Sequence, residues 1–396
     1  MNIFIIPSWY RSKKGPLGGI FFKEQVLILA RLKPNWKFAI SWNGYEDYTI
    51  PMNNPIRSLR NLIRFLKAKP SINKIAPNVW EFMHPALVWN DHFLGGNIRA
   101  IIRAHLKNFD KAESKLGRFN VIHALASIPA GFIAWEISSR VNIPFIISEN
   151  IWPFSFYFNK VKLARAKKAL RNASRVIAIS NVVFGELKRL GVLNIEIIPN
   201  MVDENFFKPA KVKKNAPFTF FSLASILKQK GFSELLMAIK TVACPNICFR
   251  IGGAGKDLKK YQQLTINLGI SQQIEWLGSL TREQALKEFQ RADAFILPSY
   301  QESFGMVYTE AIACGLPVIS TKCGGPQDII NSKNGILVPV KNYQKLSQAI
   351  LEMTNNYARF SRKAIRKDFL ANFSIKIVSK KLIKIYEEIQ KAGSIS

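Results

Sequence analysis

The chain has 396 residues, 48% of them hydrophobic, and 57 Lys and Arg against 26 Asp and Glu give a formal net charge of +31. This length provides for two or three domains with large cores, and the apolar content excludes a disordered polyelectrolyte. Four scattered cysteines exclude a disulfide scaffold, no apolar run approaches the roughly 20 residues of a spanning helix, and the charge calls for a polyanionic partner: nucleic acid, an anionic membrane face or a phosphorylated substrate.

The first element is a strand at Ile3–Ile6, ending at Pro7. It has no basic n-region and is too short for a signal peptide, so the reading is a cytoplasmic protein. Gly18–Gly19 then precede a helix at Ile20–Arg31, and on the residues alone the pair reads as a simple turn. After a strand at Phe38–Trp42 comes a window from Asp47 to Glu81 with no acidic residue between them. Within residues 55–74, Arg57, Arg60, Arg64 and Lys67 recur at helical spacing beside a stripe of Ile56, Leu59, Ile63 and Leu66. This is a basic amphipathic helix, suited either to an anionic membrane surface or to a solvated face over core-packed Ile and Leu. A second acid-free run spans 159–175.

Strands follow at Val121–Ala124, Phe145–Ser148, Val176–Ile179 and Ile195–Ile198, with helices at Ala130–Arg140 and Asn181–Leu190. Three prolines and four lysines over 195–217 mark a boundary, after which the pattern restarts. Strands at Phe218–Leu223, Ile247–Ile251, Ile274–Leu277, Ala294–Leu297 and Pro317–Ser320 alternate with helices at Ser233–Thr241, Leu258–Leu268, Thr281–Gln290 and Val307–Ala313. Near-continuous apolar strands alternating with helices predict parallel α/β units, in two doubly wound domains. The expected domains are 1–205 and 206–374, followed by an amphipathic helix at Ile375–Lys391 that could pack on either. Cys244, Cys248, Cys314 and Cys323 read as structural thiols, since the first two have no second ligand pair near them.

The segment "LPSYQESFGMVYTEAIACGLPVIS" (297–320) carries the most chemistry. A strand ends at Pro298, a polar loop follows, and a helix starts near Phe304–Gly305 and stops at Gly315. A helix N-terminus beside a glycine is a ready phosphate site, with free N–H groups and the positive dipole end directed at it. Glu302 in the loop and Glu310 two turns into the helix can reach one ligand. Spacing alone equally allows Glu302 as an N-terminal cap and Glu310 as a solvated residue.

Here the chain resembles the family-4-type retaining glycosyltransferases of the group 1 family, which have the GT-B fold. "ESFGMVYTEAIACGLPVI" is similar to their E-x7-E signature, and "IPSWYRSKKGPLGGIFFKEQ" (6–25) to their N-terminal Gly-rich loop. "ASRVIAISN" (173–181), "IPNMVDENFFKP" (198–209), "RIGGAG" (250–255), "EWLGSL" (275–280) and "GGPQDII…NGILVP" (324–339) fall in family order. The resemblance implies two Rossmann-like domains facing a central cleft that holds the active site. Glu310 would hold the ribose hydroxyls of a UDP- or GDP-sugar, and Glu302 would contact the donor sugar. The backbone at Gly305, Met306 and Val307 would cradle the diphosphate, with Phe304, Gly253 and Ser225 in the same donor site. Lys230 would neutralise the diphosphate, helped by Gly18 and Gly19. The physics agrees, because a leaving nucleoside diphosphate gathers negative charge that a lysine and a helix N-terminus stabilise.

Two departures stand out. The family's Gly-Arg after the first strand of its second domain is Ala224–Ser225 here, which leaves more of the load to Lys230 or Lys228. The first domain keeps His123 but has Leu125 and Asn150 where the family has further histidines. His123 is thus a candidate catalytic residue or a structural one. No Asp-x-Asp occurs in the chain, so transfer without a metal or other cofactor is expected. The acceptor implied is a glycan or lipid-linked glycan of surface polysaccharide or lipopolysaccharide synthesis. The enzyme would then sit peripherally on the inner membrane face and bind no specific nucleic acid. The alternatives are a catalytically silent GT-B scaffold, an epimerase- or phosphorylase-like relative, and a basic nucleic-acid-binding protein.

Overall fold

The computed structural model describes the whole chain except residues 11–18, 46, 52–53, 90–96, 211–216 and 394–396. The chain forms two compact units. The first comprises Met1–Ile179, Val183–Ile198 and Ser379–Ser396, and the second comprises Ser180–Val182 and Pro199–Val378.

The first unit is built on β1 (Asn2–Pro7), β2 (Lys37–Trp42), β3 (Thr49–Ile50), β4 (Ser71–Ala76), β5 (Val79–Met83), β6 (Val88–Trp89), β7 (Val121–Leu125), β8 (Phe145–Glu149), β9 (Arg175–Ala178) and β10 (Ile195–Ile197). Its main sheet has the order β10-β9-β8-β7-β1-β2-β5-β4 and is parallel except at β4, while β3 and β6 pair apart from it. Chain order reverses between β1 and β7, as in a doubly wound sheet. Both sheet faces are covered, which is why Ile3, Phe4, Ile5 and Ile6 are all buried in a run without polar alternation. Phe4, Phe109 and Phe119 close one face with ring centroids 5.1–5.4 Å apart.

The second unit has six parallel strands: β11 (Phe218–Leu223), β12 (Ile247–Gly252), β13 (Ile274–Gly278), β14 (Ala294–Leu297), β15 (Val318–Thr321) and β16 (Gly335–Val338). They run in the order β13-β12-β11-β14-β15-β16. The reversal falls between β11 and β14, so loops leaving their carboxyl ends diverge and open a crevice for ligand. The expected α/β class, with two doubly wound Rossmann-like units, is the observed one.

The boundary lies at Ile198/Pro199 rather than 205/206. Residues 199–205 are tied into the second unit: Val202 N–H donates to Phe373 O at 3.2 Å, and Ile375 N–H donates to Glu204 Oε2 at 2.8 Å. The last helix, Ile375–Gly393, is amphipathic as expected. From Ser379 onward it belongs to the first unit, where Tyr386 meets Trp36 edge-on at 5.9 Å and Glu387 pairs with Lys33 at 2.7 Å. The acid-free run at 159–175 forms a helix, Lys160–Asn172, that buries Ala166, Ala169 and Leu170. The four cysteines are free thiols.

Candidate functional site

The loops that leave β11 and β14 are locked together by one glycine. Gly231 has φ +71°, and a Cβ there would stand 1.9 Å from the Pro298 carbonyl oxygen. Only glycine combines that left-handed backbone with so close an approach. The contact sets Lys230 beside the loop after β14, where its Nζ lies 2.7 Å from Glu302 Oε1. The same oxygen accepts from Ser299 Oγ at 2.8 Å. Glu302 is fixed through its backbone too: its N–H donates to Cys323 O at 3.0 Å and its C=O accepts from Gly325 N–H at 2.8 Å. Lys230 and Glu302, singled out separately in the sequence, are therefore one pair at the switch point of the sheet. Ser299 is a partner that sequence reasoning missed; its only signal was its place in the same strand-exit loop.

Gly305, with φ +97°, caps the helix Met306–Ala313. Among the described residues, the N–H groups of Met306 and Val307 have no acceptor, so the positive end of this helix is open. Tyr308 anchors the turn, its ring lying where a Gly305 side chain would project and its hydroxyl donating to Leu297 O at 3.0 Å. Glu310 lies in the second turn and is half-buried. Burial pushes its carboxyl up to about 7, while the Arg282 guanidinium pulls the other way. That carboxylate has no hydrogen-bond partner or ion pair among the described residues, leaving an acceptor with its capacity unspent.

The other expected donor-site residues separate. Ser225 is exposed just beyond β11, as a ligand contact requires. Phe304 is buried with its ring 6.1 Å from Phe373, so its side chain belongs to the core and only its backbone is left for a ligand. Gly253 has φ +129°, and the space a side chain would take is filled by the Ala224 carbonyl oxygen at 1.8 Å. Its glycine serves the close packing of two strand exits. Tyr300, not singled out in the sequence, donates to Glu234 and stacks under Lys341 at 5.3 Å.

In the first unit, Gly19 (φ +65°) caps the helix Ile20–Leu32, and a Cβ there would meet the Trp9 carbonyl oxygen at 2.5 Å. Gly18 lies outside the described residues. His123 requires a correction. It is fully buried, its Nδ1 pairs with Tyr386 Oη at 2.6 Å and its Nε2 with Ser148 Oγ at 2.8 Å. Burial lowers its pKa to about 3. A neutral ring with both nitrogens engaged has no proton to exchange with a substrate, so His123 is a structural residue. Its neighbour Glu149 is also buried and accepts backbone N–H groups from Ser127, Asn150 and Ile151 at 2.9–3.0 Å. Burial pushes that carboxyl up to about 7 against these bonds.

The family model for glycosyl transferases group 1 matches residues 203–368, and that for glycosyltransferase family 4 matches residues 65–206. Over 375 residues the chain is 25% identical to the putative teichuronic acid biosynthesis glycosyltransferase TuaC of Bacillus subtilis, covering 88% of each chain. The fold of the sucrose-phosphate synthase from Thermosynechococcus elongatus matches with a TM-score of 0.78 at 19% identity, over 99% of this chain and 100% of that one. Anabaena HepE in complex with UDP-glucose matches with a TM-score of 0.71 at 17% identity, over 98% and 100%. Both structures are GT-B glycosyltransferases.

Proposed function

Because this chain belongs to the group 1 glycosyltransferases of the family-4 type, we propose that it moves a sugar from a UDP- or GDP-sugar to a glycan or lipid-linked acceptor. The observation that carries the donor site is the Lys230–Glu302 pair at the β11/β14 switch point, beside the open N-terminus of the helix Met306–Ala313.

The diphosphate sits at that N-terminus, accepting from the N–H groups of Met306 and Val307. Lys230 moves from Glu302 to a phosphate oxygen, and the freed carboxylate, still held by Ser299, accepts a hydroxyl of the donor sugar. The carboxylate of Glu310, without a partner among the described residues, accepts the ribose hydroxyls. As the bond from the anomeric carbon to the phosphate oxygen breaks, charge builds on the leaving group, where a fixed cation and preorganised N–H groups are most effective. The acceptor hydroxyl attacks on the face the diphosphate leaves, so configuration is retained, and its proton passes to the departing phosphate oxygen. Lys230 and the helix terminus supply the countercharge without a metal. HepE, whose structure holds UDP-glucose, favours a uridine donor. TuaC, named for teichuronic acid biosynthesis, favours an acceptor in surface polysaccharide synthesis.

A thermal-shift panel of UDP-glucose, UDP-galactose, UDP-N-acetylglucosamine and GDP-mannose tests the reading, since binding stabilises by mass action. One donor should raise the melting temperature of the wild type, with or without magnesium, and not of Glu310→Ala. No shift with any donor would overturn it.

A further inference from the structure

The helix Pro55–Leu66 in the first unit is mounted with its apolar face outward. Its buried residue is polar: Asn61, whose Nδ2 donates to Thr49 O at 2.7 Å. Ser58 Oγ donates to Pro51 O at 2.7 Å, and the Phe65 ring meets Tyr48 edge-on at 6.1 Å. The stripe of Ile56, Leu59, Ile63 and Leu66 is 74%, 60%, 44% and 72% exposed. The core-packed alternative for this stripe is thereby removed. Four neighbouring aliphatic side chains held in water mark an interaction face rather than scattered surface residues.

The flank of that stripe is cationic. Arg57, Arg60 and Lys67 are exposed and Arg64 half-buried. Among the described residues, none of the four makes an ion pair or a side-chain hydrogen bond. No acid lies between Asp47 and Glu81 to offset them. We propose that this helix lies in the headgroup interface of an anionic bilayer, with its Ile and Leu side chains at the acyl boundary and its Arg and Lys side chains on lipid phosphates. An apolar stripe with a basic border is what such a surface selects. A second copy of the chain would bring like charges together along the helix, and a nucleic acid has phosphates for the flank but no use for the stripe. The inference stands apart from the proposed chemistry, since no residue of the helix belongs to the donor site.

The test is vesicle flotation of the full chain at about 0.1 M salt, using phosphatidylcholine alone and phosphatidylcholine with about 30% phosphatidylglycerol. The wild type should float with the anionic vesicles and not the neutral ones. Replacing Ile56, Leu59, Ile63 and Leu66 together by Gln should weaken binding at least tenfold, as should Arg57→Gln with Arg60→Gln and Arg64→Gln. Gln keeps helix propensity at exposed positions, and unchanged circular dichroism melts check the fold. Leu59→Trp supplies a readout that needs no disruption: its emission should shift to the blue with anionic vesicles only. Failure of the wild type to float, an unshifted Leu59→Trp, or an apolar variant that floats like the wild type would each overturn the proposal. So would loss of a dimer in the apolar variant, or polynucleotide binding lost in the arginine variant, if the wild type binds no vesicles.

Discussion

Lys230 Nζ and Glu302 Oε1 stand 2.7 Å apart across the two loops that leave β11 and β14. In the resting protein each neutralises the other. The proposed chemistry needs them apart, with the lysine on phosphate and the carboxylate on sugar. Glu302→Gln keeps the shape and the Ser299 contact but removes the charge. We expect kcat to fall by about 100-fold or more, with the fold intact, as for a contact strengthened in the transition state. Near-normal turnover would take Glu302 out of the chemistry. Lys230→Ala should lower kcat and donor affinity together, because its target is charged before and during reaction.

Glu310 allows stability and function to be separated in one variant. Burial raises its carboxyl to about 7 from an ordinary 4.5. Between these values the folded chain holds a proton that the unfolded chain has lost. Its contribution to stability is therefore complete below about 4.5 and disappears as the pH rises through about 7. Glu310→Gln removes that dependence and should raise stability at pH 8 by at most roughly 3 kcal/mol, less whatever solvent screening removes. The same variant should lose affinity for the nucleotide-sugar by about tenfold or more, since the ribose loses a charged acceptor. Melting curves across pH 4–8 and a donor titration read the two effects separately. A variant that is both more stable and undiminished in donor binding would leave Glu310 a purely structural acid.

The two sheets were legible because their strands are buried on both faces: Ile3–Ile6 and Phe218–Leu223 declare themselves as apolar runs whatever surrounds them. The Glu302–Glu310 segment was legible for a similar reason, since strand exit, glycine and helix start are all local signals. What the sequence hid depends on partners far along the chain. His123 reads as a strand-end histidine, catalytic or structural, until Tyr386, from the last helix, is found covering it. Gly253 reads as a ligand glycine, and its packing reason, the Ala224 carbonyl where a side chain would project, was not visible in the sequence. The helix Pro55–Leu66 was legible as amphipathic, but periodicity says nothing of which face is turned inward. Asn61 bonding to Thr49 decides that. β4 and β5 were missed because polar residues such as Asn73, Lys74 and Glu81 break their apolar pattern.

Gly231 should be as necessary as either charged residue, for a purely geometric reason. Alanine there would put a methyl group 1.9 Å from the Pro298 carbonyl oxygen on a backbone with φ +71°. The loops must part to admit it. We expect Gly231→Ala to cost on the order of 2–4 kcal/mol of stability and to cut turnover in the fraction that stays folded, because Lys230 moves away from Glu302. Chemical denaturation and kcat at a permissive temperature measure the two losses. Gly269→Ala, at a similar φ of +67° but with no atom of the described residues within 4 Å of the new methyl, is the control. It should show the backbone strain without the loss of turnover.

His123 gives the converse case, a residue whose replacement should disturb the fold and spare the chemistry. Its ring is buried and neutral, with a pKa lowered to about 3. His105, bonded to Ser41 at 2.7 Å, is lowered to about 3 by the same burial. An unfolded histidine titrates near 6.5, so between about 6.5 and 3 the unfolded chain takes up protons that the folded chain refuses. Stability therefore falls as the pH drops through this window, by about 1.4 kcal/mol per pH unit for each ring. The raised carboxyls of Glu149 and Glu310 oppose this above about pH 4.5, so the two rings show as a net fall chiefly below that pH. His123→Gln can keep one of the two hydrogen bonds, to Tyr386 or to Ser148, but not the geometry of both. We expect a loss of about 1–3 kcal/mol at pH 7, together with a shallower fall between about pH 4.5 and 3, since one of the two titrating rings is gone. The kcat of the folded fraction at pH 7 should stay within about twofold of wild type, because the ring is fully buried with both nitrogens engaged by Tyr386 and Ser148. A collapse of kcat with stability and its pH slope unchanged would return His123 to the reaction.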